Sequence, residues 1–130
     1  MFDAFDFFID AGEKVKYVNI TFARGDSYER GIVLKDRNTK QPILTAWDEV
    51  YFTVKKYHTD HDFKFQKRLS DGGIVYDGEG HYTLFILPED TNRLAFGEYD
   101  IDFEFVKGDF KRTFAGVMKL TKEVTHQYNE

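Results

Sequence analysis

The stretch Tyr99-Asp100-Ile101-Asp102-Phe103-Glu104-Phe105, opened by Gly97-Glu98, alternates four large apolar side chains with three carboxylates. In an extended chain successive side chains point to opposite faces. Tyr99, Ile101, Phe103 and Phe105 therefore share one face, and Asp100, Asp102 and Glu104 the other. A helix would scatter the same residues around its surface. The stretch reads as a strand with one buried face. The three acids are expected to form a solvated face that also discourages edge-to-edge aggregation.

The same period of two recurs outward from this strand. It appears in Val18, Ile20 and Phe22, in Ile32 and Leu34 within Tyr28 to Leu34, and in Val50, Phe52 and Val54. It returns in Tyr82, Leu84 and Ile86, and in Phe114, Gly116, Met118 and Leu120. Phe63 to Leu69 is a more polar candidate strand and Gly73 to Tyr76 a short one. Between the runs lie Arg24-Gly25-Asp26, Asp36-Arg37-Asn38, Asp71-Gly72-Gly73, Asp77-Gly78-Glu79-Gly80 and Lys107-Gly108-Asp109, all chemistry suited to turns. Strands this short and this regularly spaced predict an all-β fold, an immunoglobulin-like two-sheet antiparallel sandwich of about seven to nine strands. One helical turn is expected over Pro88 to Leu94, because proline suits a first helical position and acids favour that end. Leu94 would then plug the core.

Tyr99 carries a second expectation. In immunoglobulin-like sandwiches a tyrosine near the start of strand F bonds back to the corner before it, and Gly97-Glu98-Tyr99 places Tyr99 for that role. An ordinary core tyrosine is the other reading.

At 130 residues, with 42% hydrophobic residues including 14 Phe and 8 Tyr, the chain can build a core of its own. Eighteen basic against 23 acidic residues leave a net charge of -5, which argues against nucleic acid as a partner. The absence of cysteine removes disulfides, thiolate catalysis and zinc-thiolate sites. No apolar run approaches the ~18 residues of a membrane span, so no membrane partner is expected. The start, Met1 to Gly12, carries Asp3, Asp6 and Asp10 in place of a basic leader, and no targeting signal is read there. Residues 1–16 are taken as an N-terminal extension, 17–124 as the sandwich and 125–130 as a frayed end. Phe2, Phe5, Phe7, Phe8 and Ile9 are too apolar for a free tail, so they are the candidate partner-docking residues, whether as an arm or as an edge strand.

Catalytic motifs are missing. His58, His61 and His81 with Asp60 and Asp62 hold ligand types suited to zinc or nickel, yet their spacing matches no established site. Ser27 and Ser70 lie in no nucleophile elbow, and no phosphate-binding loop is present. The strand acids lack the evidence of a cleft that a glycosidase pair requires. Arg24-Gly25-Asp26 spells an integrin-type tripeptide, but a tight bend explains it as well. Lys64, Lys67 and Arg68 beside Phe63 and Phe65 read as a charged strand face rather than a stacking platform. Trp47 is either a surface aromatic or a core plug. No cofactor and no enzymatic activity are expected.

Taken in order, Ile20-Thr21-Phe22, Arg24-Gly25-Asp26-Ser27, Val50-Tyr51-Phe52-Thr53-Val54-Lys55, Asp71-Gly72-Gly73-Ile74, Leu87-Pro88-Glu89-Asp90-Thr91 with Leu94, and Gly97-Glu98-Tyr99-Asp100-Ile101 form a recognisable set. Over residues 17–124 it resembles the immunoglobulin-like domain at the N-terminus of phage baseplate upper proteins and related small tail proteins of phages and prophages infecting Firmicutes. The resemblance implies a non-catalytic adaptor of a tail or baseplate. Such a protein would bind other tail proteins in a symmetric assembly, residing in the virion and, before that, in the host cytoplasm. Baseplate members of that group continue into a long C-terminal region, whereas this sequence ends at Glu130, so an accessory protein is the expectation. A carbohydrate-binding or host-adhesion module is the alternative, with Trp47, Tyr51 and Tyr57 as rings for stacking on sugars.

Overall fold

The computed structural model describes residues 4–9 as backbone, and residues 18–36, 38–44 and 46–122 in full. Phe2 and the segment 125–130 lie outside the described residues. Within them the chain forms nine strands and one short helix: β1 (Ala4–Ile9), β2 (Val18–Ala23), β3 (Tyr28–Asp36), β4 (Glu49–Lys55), β5 (Phe65–Arg68), β6 (Ile74–Gly78), β7 (His81–Ile86), α1 (Pro88–Thr91), β8 (Gly97–Lys107) and β9 (Phe110–Thr121). The strands divide into a four-stranded sheet in the order β1-β3-β7-β6 and a five-stranded sheet in the order β2-β9-β8-β4-β5. The two-sheet β-sandwich expected from the alternation is the fold observed.

Most neighbours are antiparallel, but both N-terminal strands depart from that expectation. β1 runs parallel to β3, with Ala4 opposite Gly31 and Ile9 opposite Asp36. β2 runs parallel to β9, with Val18 opposite Gly116 and Ala23 opposite Thr121. Parallel neighbours cannot be joined by a tight hairpin, so no turn between adjacent runs could have announced these pairs. β2 passes through Arg24-Gly25-Asp26-Ser27 into β3 in the opposite sheet, and β5 packs against β7. The edges β1 and β2 therefore flank one side of the sandwich and β5 and β6 the other.

The core forms where the two inner faces meet. The alternation of β8 puts Tyr99, Ile101, Phe103 and Phe105 against Val50, Phe52 and Val54 of β4 and Phe114, Met118 and Leu120 of β9. Ile32 and Leu34 of β3, Ile74 of β6, and Tyr82, Leu84 and Ile86 of β7 close it from the other sheet. The aromatic load sets the packing geometry. Phe52 and Phe103 have ring centroids 4.9 Å apart, and Phe105 meets Phe114 edge-on at 5.9 Å, both separations preferred by aromatic pairs.

Trp47 is settled as a core residue. It is only 8% exposed and packs edge-on against Phe105 at 5.7 Å. Its backbone N–H donates to the buried hydroxyl of Tyr82 at 3.1 Å, tying the loop before β4 to the opposite sheet. Leu94, the expected plug, packs against the core while remaining half-buried. Tyr99 is buried, and its hydroxyl donates to the carbonyl of Ala95, four residues back, at 2.7 Å.

Candidate interaction surface

The apolar N-terminal segment lies at a sheet edge. β1 forms the outermost strand of the four-stranded sheet, with its backbone in register against β3. Phe5 stands opposite Ile32 and Phe7 opposite Leu34, both core positions of β3. Phe8 stands opposite Lys35 and Ile9 opposite Asp36. Of the candidate docking residues, four are thus strand positions of this edge, and Phe2 is outside the described residues.

The outer face of the five-stranded sheet corrects the expectation of freely solvated acids. Asp100, Asp102 and Glu104 are half-buried, because β8 is flanked by β4 on one side and β9 on the other. Asp102 lies between Thr53 and Ala115. Burial first, and the charge of Glu104 second, raise its pKa above the usual carboxylate value against the opposing pull of Lys55. Asp100 accepts the backbone N–H of His58 at 2.8 Å and faces that ring's Nδ1 at 3.3 Å, while Glu104 pairs with Lys111 at 3.5 Å. Across β4 the face continues as a polar chain: Gln66 donates to Thr53 at 2.9 Å, and Arg68 donates to Gln66 at 2.9 Å while lying over the Tyr51 ring.

An acid whose folded pKa is raised adds stability below its unfolded pKa and loses that contribution as pH climbs through the folded value. Asp102→Asn is accordingly expected to raise the denaturation midpoint at pH 7 relative to the parent, and to lose that advantage at pH 3, where both side chains are neutral. An equal shift at the two pH values would show that the charge of Asp102 is not the cause.

Arg24-Gly25-Asp26 turns out to be a structural joint. Gly25, at φ 85°, donates its N–H to the hydroxyl of the fully buried Thr91 in α1 at 2.9 Å. The Arg24 guanidinium lies 4.1 Å from the centroid of Phe96 and donates to the Leu94 carbonyl at 3.2 Å. Asp26 N–H closes the bend on the Ala23 carbonyl at 3.1 Å. No cue in the sequence linked this tripeptide to α1, since the partners lie 66 and 70 residues away.

A groove of about 470 Å³ opens beside Gln66, Lys67, Asp71, Gly73, Phe85 and Leu87. Lys67, read as part of a charged strand face, instead pairs with Asp90 at the start of α1, and both side chains are largely buried. Asp90 also accepts the Leu87 N–H at 2.7 Å, as an acid in the first helical turn is placed to do. That half of the link was readable in Leu87-Pro88-Glu89-Asp90; the lysine was not.

Among the described residues no group of three or more His, Asp or Glu side chains is close enough to hold a metal ion. His58 lies against the five-stranded sheet through Asp100, whereas His81 belongs to β7 of the other sheet. Tyr57 is 61% exposed, but Tyr51 is half-buried beneath Arg68, and Trp47 is in the core. The three rings suggested for sugar stacking therefore do not form one exposed platform.

No family model and no curated protein matches the chain. Among solved structures, the N-terminal domain of phage TP901-1 ORF48 is similar over 92% of this chain and 99% of that one, at 14% identity and a TM-score of 0.51. The likeness is one of fold. The endo-beta-1,4-mannanase from Thermotoga petrophila is similar over 81% of this chain, at 12% identity and a TM-score of 0.53. The chain spans only 18% of the mannanase, so the likeness there is to a part of a larger protein.

Proposed function

We propose that this chain is a non-catalytic structural or adaptor module of a bacteriophage or prophage tail or baseplate, acting through protein–protein contacts. The observation that carries the reading is the fold likeness to the N-terminal domain of phage TP901-1 ORF48, which runs through almost the whole of both chains. The ordered motifs between Ile20 and Ile101 point the same way. Strand order supports an immunoglobulin-like reading of the sandwich. With β3 to β9 taken as strands B, C, C′, D, E, F and G, the sheets read B-E-D and G-F-C-C′, as in variable-type domains. In this reading the partners are other tail or baseplate proteins arranged symmetrically, and the protein acts in the virion after assembly in the host cytoplasm.

The deciding experiment is antibody labelling of purified particles. Label confined to the tail or its tip is the expected result; particles that carry none of the protein would overturn the proposal. Of the alternative, a carbohydrate-binding or host-adhesion module, the carbohydrate-binding form draws support from the mannanase likeness. It is weakened by the burial of Trp47, whose ring is unavailable for stacking on a sugar.

A further inference from the structure

We propose that the outer edge of β3 is a strand-acceptor site at which the N-terminal strand of a second copy of this chain can replace the copy's own β1. The occupant is defined by what already sits there. Residues Ala4–Ile9 pair in parallel along β3 from Gly31 to Asp36, filling the edge of the four-stranded sheet. Among the described elements β1 packs against β3 and against no other to a comparable extent. Its register brings Phe5 and Phe7 to the positions of Ile32 and Leu34, the two β3 residues of the core cluster.

Three physical consequences follow from that placement. A six-residue edge strand held by one parallel ladder can open without breaking any other ladder of the sheet. Once open, β3 presents a row of unpaired N–H and C=O groups beside core positions, an arrangement that is relieved by adding another strand. The same strand from a neighbouring copy restores every backbone bond in the same register. Closed and exchanged forms thus differ mainly in the cost of association. Eight residues, 10–17, separate β1 from β2. A connection that short holds the chain's own strand at an effective concentration on the order of millimolar. Dilute protein is therefore closed, and exchange is favoured where copies are crowded to similar concentrations, as in a repeated assembly. Strand exchange of this kind is a property of the isolated chain and does not require that the protein belong to a phage particle.

The absence of native cysteine makes the test direct. Neighbouring strands lie about 4.8 Å apart, within the range a disulfide can bridge. Phe8→Cys and Lys35→Cys occupy register partners, as do Ile9→Cys and Asp36→Cys. Each double variant, oxidised at micromolar concentration, should form an intrachain disulfide; failure of both would remove β1 from the β3 edge and overturn the proposal. Next, chains carrying only Phe8→Cys are mixed with chains carrying only Lys35→Cys at about 1 mM and oxidised. The control partner, Glu29→Cys, lies on the same strand but about 20 Å out of register. Cross-chain disulfide between the in-register pair, enriched more than about tenfold over the control, is the expected result. Equal yields from the two mixtures, with the intrachain bond still forming, would show that β1 never leaves its own chain.

Discussion

Replacing Phe103 by alanine is expected to cost the fold about 3–5 kcal/mol, the range for truncating a buried aromatic. Phe103 is fully buried at the middle of β8, where its ring meets Phe52 of β4 and its register partner on the other side is Phe114 of β9. Both flanking strands are fixed by the β8 ladder, so the neighbours cannot easily collapse into the space left behind. A domain of this size has a total stability of about 5–15 kcal/mol, so the loss consumes a large share of it. Urea unfolding should show a lower midpoint with an unchanged slope. Leu44→Ala, at a side chain that is 66% exposed, is the control and should move stability by less than about 0.5 kcal/mol. A loss below about 1 kcal/mol for Phe103→Ala would mean that the inner face of β8 is not where the core is concentrated.

Gly116→Ala is expected to be nearly as damaging through the opposite mechanism. A β-carbon at position 116 would lie 2.1 Å from the Val18 carbonyl oxygen and 2.9 Å from the Val18 β-carbon. Backbone cannot rotate away as a side-chain end can, so either β2 moves off β9 or the ladder distorts. Overpacking of this kind costs about 1–3 kcal/mol and more where backbone must shift; the expected loss is near the top of that range. Amide exchange separates the two responses. Loss of protection in β2, with the β8–β9 hairpin still protected, shows that β2 has been displaced. A variant with unchanged midpoint and unchanged β2 protection would contradict the close approach of Val18 and Gly116. The position also explains why the run Phe114, Gly116, Met118, Leu120 carries a glycine in an otherwise bulky series: the start of β2 occupies the volume a side chain would need.

Much of the fold was legible because the inner-face pattern is local. Each of Val18-Ile20, Val50-Phe52-Val54, Tyr82-Leu84-Ile86 and Tyr99-Ile101-Phe103-Phe105 declares its buried face without reference to any other segment. The helical turn was equally readable, since Pro88, Glu89 and Asp90 are themselves its start. The candidate surfaces were less legible. Whether an acid alternating with core residues is solvated depends on the width of the sheet around it. Asp102 is half-buried because β8 is an interior strand, a fact that no residue within β8 encodes. Trp47 was undecidable for a similar reason, as the groups that cover it, Phe105 and Phe110, lie more than fifty residues away.

By itself the sequence determined the element type and buried face of the alternating runs from Val18 onward and the absence of thiol chemistry, all properties carried by residue identity and a period of two; the N-terminal segment stayed open between an arm and an edge strand. The tertiary structure alone decided the partners: β1 along β3, β2 along β9, Arg24 on Phe96, Lys67 on Asp90. The physical reason is that alternation states which side of a strand is apolar but not which strand lies beside it. Neighbours are selected by how the whole set of apolar faces closes around one core.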